Sequence, residues 1–140
     1  MRKVSSIPFH RNIVELYQFL GLTTSVEKDF HIESHQDLQA VLPKSTTPFR
    51  NDFYEVSLIT KGSSLSFTIN QQEFQTPEQY LVFTCPQQVR SWQGIEPDLE
   101  GYVAFFNLHY LNHRDDQDWL AQFPFFNIFN WVVHPCCHIA

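Results

Sequence analysis

At 140 residues, with a formal net charge of −6 and a pI near 5.5, the chain suits one domain and lacks the clustered Lys and Arg that grip a phosphate backbone. Hydrophobic residues make up 43% and charged residues 17%, which excludes a disordered tail, and the 14 Phe point to an aromatic core or an apolar pocket. The N-terminal MRKVSSIPFHRN has neither the apolar stretch nor the cleavage site of a secretory signal. No apolar run approaches the ~20 residues needed to cross a bilayer. Three Cys without framework spacing suit a reduced, cytoplasmic protein.

Along the chain, Ile13, Leu16, Tyr17 and Leu20 recur at helical spacing and Gly21 follows as a stop, which predicts one short amphipathic helix. Phe30–Ile32 reads as a short strand and Val41-Leu42 as another, broken by Pro43 and Pro48. Phe53–Thr60 alternates, with Tyr54, Val56 and Leu58 on one face and Phe53, Glu55, Ser57 and Ile59 on the other. Leu65, Phe67 and Ile69 mark a half-buried strand, Asn70–Glu73 a hairpin turn, and Phe74 a brief strand. After a turn at Thr76-Pro77-Glu78 comes a largely buried strand at Tyr80–Thr84. Pro86 and Gly94 bracket a short segment holding Trp92, and Gly101 precedes a strand at Tyr102–Asn107. Asp115–Gln122 predicts a second helix, its acidic first turn matching the helix dipole. Many short strands with Gly, Pro and Asn punctuation predict a sandwich or barrel.

The blocks NDFYEVSLITKG (Asn51–Gly62), FTINQQEF (Phe67–Phe74), LVFTCPQQVRSW (Leu81–Trp92), GYVAFFN (Gly101–Asn107) and FPFF (Phe123–Phe126) stand in a familiar order. Over about four-fifths of its length the chain resembles the N-terminal, cupin-like domain of AraC-family transcriptional regulators. The resemblance implies a mostly β fold, a cupin-like double-stranded β-barrel (jelly roll) with flanking short α-helices, over residues 1–126. It implies a small-molecule effector, possession of a homodimer interface, and a separate pair of helix-turn-helix motifs that reads DNA. Residues 127–140 are then a tail without that DNA-binding domain, so this chain itself is expected to make no DNA contact and no membrane contact. The same resemblance implies a receptor and not an enzyme, with no cofactor. Two alternatives stay open, a stand-alone cupin-like enzyme acting on a sugar or small acid and a carbohydrate-binding module.

Metal-binding barrels of the cupin type place His-x-His and then a Glu on one strand, with a further His on a later one. Projected here, those slots hold Phe49, Asn51, Glu55 and, after Pro86, Arg90. Phe does not coordinate, Asn is a weak ligand for transition metals, and Arg brings a positive charge to the place of the cation, so no metal is expected. The expectation in its place is a ligand pocket. Glu55 and Arg90 project into one mouth, the guanidinium neutralising the acid or meeting an anionic or hydroxyl-bearing ligand. Asn51, from the second slot, is counted with them as ligand-binding, and Tyr54 and Trp92 supply stacking or apolar wall. The bland alternative is a satisfied carboxylate at Glu55 and a surface Arg90.

The remaining reactive residues point to little chemistry. Cys85 before Pro86 reads as a small core residue. His134-Pro135-Cys136-Cys137-His138 lacks the spacer that lets paired thiolates reach one zinc. No GxSxG or glycine-rich phosphate loop is present, and the histidines at 10, 31, 35, 109 and 113 fall in no triad motif. Trp119, Phe123, Phe125 and Phe126 read as core packing or, through the resemblance, as part of a dimer surface.

Overall fold

A computed structural model of the chain describes residues 6–62, 66–75, 79–94, 98–107, 110 and 133–135. The expected helix at Asp115–Gln122, the turn at Thr76-Pro77-Glu78, the aromatic segment from Trp119 to Phe126 and the two C-terminal Cys lie outside those residues. After a short strand β1 (Phe9–His10), helix α1 (Ile13–Phe19) starts where the sequence predicts. Asn12 caps it from an extended conformation, its side chain accepting the Glu15 N–H at 3.0 Å, while the Glu15 carboxylate accepts the Arg11 N–H at 2.7 Å. At the other end Gly21, at φ +73°, closes a Schellman motif. Its N–H donates to the Gln18 carbonyl at 3.1 Å, and the Leu22 N–H to the Tyr17 carbonyl at 2.9 Å. The face so fixed buries Ile13, Leu16 and Tyr17.

Strand β2 (Phe30–Ser34) runs two residues beyond the expected Phe30–Ile32 and leads into a second helix, α2 (His35–Gln39). The Ser34 hydroxyl caps α2 by accepting the Asp37 N–H at 3.2 Å. The expected strand at Val41-Leu42 does not form. Those backbone N–H groups both donate to the Leu38 carbonyl and continue the helical turn, and Val41 is exposed.

The remaining described elements are strands: β3 (Arg50–Asn51), β4 (Tyr54–Lys61), β5 (Ser66–Ile69), β6 (Gln72–Gln75), β7 (Tyr80–Thr84), β8 (Arg90–Gln93), β9 (Glu100–Phe106) and β10 (Val133–Pro135). The protein is thus mostly β, with three sheets among the described residues. β1 pairs with β3 in parallel, and the other two sheets are antiparallel, five strands in the order β10-β7-β4-β9-β2 and three in the order β6-β5-β8. Among the described residues no sheet closes on itself, so the ladder is that of facing sheets and not of a continuous barrel wall. An isolated antiparallel bridge joins Phe49 to Arg90 at the edge of β8. β5 and β6 are joined by Asn70 and Gln71 at φ 49° and 70°, the two left-handed positions of a tight hairpin turn whose twist suits the strands.

The larger sheets enclose the core. One apolar cluster gathers α1, Leu38 of α2, Phe49, Phe53, Val103 and Phe105. A second holds Ile59, Tyr80 and Val82 of the five-stranded sheet against Phe67 and Ile69 of the three-stranded one, with Leu99. Trp92 packs on both. Gly101, φ +139°, lies where β4 and β9 shift register between Ile59 and Lys61, and a Cβ there would run into the Leu58 carbonyl. A side chain there would have to push β9 away from β4.

Candidate ligand-binding site

Strand alternation sends Glu55, Ser57 and Ile59 of β4 to the inside, and Tyr80, Val82 and Thr84 of β7 with them. The β4–β7 register sets Glu55 directly opposite Thr84, and the β4–β9 register sets it opposite Phe105. From the other sheet, the paired backbones of Phe49 and Arg90, with reciprocal N–H to carbonyl bonds of 2.9 Å, hold Arg90 over the same spot. Its Nη1 forms an ion pair with Glu55 Oε2, and its guanidinium carbon stands 5.5 Å from the centre of the Phe49 ring. The Glu55 and Arg90 side chains are only 9% and 16% exposed. Burial pushes the Arg90 guanidinium down to about 10, which leaves it charged at neutral pH.

Beside this pair lies a cavity of about 90 Å³ between the sheets. Its wall is largely apolar, with Ile59, Phe67, Ile69, Val82, Leu99 and Trp92 among the lining residues, and Glu55, Ser57, Thr84, Arg90 and His35 supply polar atoms. His35 Nε2 and Ser57 Oγ share a hydrogen bond of 2.8 Å, and burial pushes the His35 imidazole down to about 4, so it is neutral at pH 7. The Thr84 hydroxyl is buried with no hydrogen-bond partner among the described residues. The Trp92 indole N–H donates to the Pro43 carbonyl at 3.1 Å, which fixes the ring as a wall.

The sequence-based site is therefore assembled in part. Glu55, Arg90 and Trp92 all line the cavity. Asn51 and Tyr54 do not line it. Asn51 Oδ1 accepts from His10 Nδ1 at 2.8 Å, a bond that ties β3 to β1. Tyr54 falls on the opposite face of β4, where its ring stacks on Phe106 with centroids 5.5 Å apart. Three lining residues were not anticipated as such: Thr84, Ser57 and His35. Ser57 carried a signal, since it shares the alternating face of Glu55. Thr84 is identified only by its register, and His35 only by the helix that lifts it to the cavity.

Cys85 is buried, and burial pushes its thiol up to about 11, far from the thiolate a nucleophile needs. Among the described residues no group of three or more His, Cys, Asp or Glu gathers as a metal site would require, and no helix there is long and apolar enough to cross a membrane. The sequence matches no protein-family model, and no curated protein matches it with significance.

Proposed function

We propose that this domain is a small-molecule receptor of the jelly-roll type, serving as the effector-sensing and dimerisation part of an AraC-type transcription regulator. The observation that carries the receptor reading is the Glu55–Arg90 ion pair, formed between the two sheets at the edge of an apolar cavity. A buried ion pair contributes little net stability, because desolvation offsets its attraction. A mainly apolar cavity with a few convergent polar groups is the usual form of a ligand site.

The strand order supports the jelly roll. With the Phe49–Arg90 bridge taken as a short eighth strand and the edge strand β10 set aside, the sheets run β2-β9-β4-β7 and Phe49-β8-β5-β6. A chain wound as two Greek keys lays down eight strands in that interleaved order. The regulator reading rests on the order of sequence blocks from Asn51 to Phe126. Its mechanism is linkage: a ligand that prefers one spacing of the two sheets shifts the population of that state, and with it the placement of a tethered DNA-reading domain. On this reading the protein works in the cytoplasm.

Titrating the chain with a panel of small polar and apolar compounds, with Trp92 fluorescence as readout and a Trp92→Phe control, tests the receptor. A saturable response that reports from Trp92 supports it, and silence across the panel overturns it. Light scattering from 1 to 100 µM, roughly the range in which weak dimers form, tests self-association.

A further inference from the structure

We infer that the ligand of the inter-sheet cavity is a small uncharged amphiphile, a single hydroxyl or carbonyl group on a short apolar body. The inference rests on the receptor reading and names its ligand class.

Size comes first. A cavity of about 150 Å³ takes benzene, so one of about 90 Å³ takes about four heavy atoms, or a little more if the wall yields. That excludes a sugar ring without rearrangement. Charge comes next. The titratable groups on the wall are Tyr17, His35, Glu55, Tyr80 and Arg90. Glu55 and Arg90 already neutralise each other, His35 is held neutral by burial, and burial with the neighbouring Glu33 holds Tyr17 in its phenol form. An anionic ligand would compete with Glu55 for Arg90, and a cationic one with Arg90 for Glu55. Either leaves an uncompensated charge in a desolvated place. A neutral ligand leaves the pair intact.

Hydrogen bonding completes the argument. Thr84 is almost fully buried, 4% exposed, its hydroxyl has no partner among the described residues, and it stands across the β4–β7 ladder from Glu55. Buried hydroxyls nearly always find a partner. A ligand hydroxyl or carbonyl supplies one, while its apolar body lies along Val82, Ile69 and Trp92.

The experiment compares 1-butanol, butanoate and butylammonium at pH 7 with the whole chain, by ligand-observed NMR and by Trp92 fluorescence. The expected result is binding of 1-butanol at least about tenfold tighter than either ion. Thr84→Val is expected to fold with unchanged or higher stability, since it removes a partnerless hydroxyl. It should weaken 1-butanol about tenfold, and Thr84→Ser should restore binding. Preference for an ion, or indifference to charge or to Thr84→Val, overturns the ligand class and leaves the receptor standing. Failure of all three probes, with no xenon uptake into the cavity, overturns both.

Discussion

Two carboxylates on the inner face of the five-stranded sheet meet opposite fates. Glu33, on edge strand β2, accepts the Tyr17 hydroxyl from α1 and lies 3.4 Å from His31 Nε2. Glu55, two strands further in on β4, takes its partner from the other sheet and opens onto a cavity. β9 runs between them, placing Val103 opposite Glu33 and Phe105 opposite Glu55. The first acid is closed off by a helix and serves the fold. The second is held by a cation that spans the sheets, in a place where a ligand has room. Burial alone does not tell the two acids apart; what does is which element supplies the partner and whether space remains beside it.

The largest effect expected is at Glu55. Glu55→Ala leaves the Arg90 charge buried and unpaired, at a cost of about 3–5 kcal/mol in urea unfolding. The double variant Glu55→Leu/Arg90→Met should regain most of that, because two apolar groups need no partner. A cost below about 1 kcal/mol for the single variant would mean that water already solvates the pair, and the contrast with Glu33 would collapse.

Next comes pH. The His35 imidazole titrates near 4 when folded and near its ordinary 6.5 when unfolded, so the folded state disfavours its protonation. Its contribution is complete above about pH 6.5 and is lost as pH falls toward 4, by at most on the order of 3 kcal/mol. Thermal unfolding from pH 7 to 4 should show this slope, and His35→Gln should flatten it. An unchanged slope would place the acid sensitivity elsewhere.

At the closed acid, Tyr17→Phe removes the hydroxyl donor to Glu33 and should cost about 1–3 kcal/mol. That is less than at Glu55, because His31 stays beside the carboxylate. The phenol itself is held well above its ordinary range, first by burial and then by the bond to Glu33 and its charge, so its absorbance should not titrate before the protein unfolds in alkali. Smallest is Asn12→Ala, which removes the cap of the helix that carries Tyr17, for about 1 kcal/mol by denaturant melt.

Much of this was legible in the sequence. The helix from Ile13 ended at its glycine, and Tyr80–Thr84 formed as written, because apolar period and turn chemistry act over a few residues. Glu55 and Arg90 were legible as a pair only through the slots of a familiar motif. Other readings failed for local reasons. HQDLQ has no apolar period, so α2 was not read from the sequence, and its last turn absorbed the expected strand at Val41. Tyr54 was placed in the pocket against its own alternation, which sets it on the face opposite Glu55.

By itself the sequence determined the central strands, now β4, β5, β7 and β9, and which face of each turned inward, since one side chain in two must leave water. Only the tertiary structure decided that Arg90 would reach Glu55, that Thr84 would stand opposite it without a partner, and that space would remain beside them. Those outcomes depend on register between strands distant in the chain and on how two sheets fit together. A shift of one residue in either would have turned the same side chains to the other face.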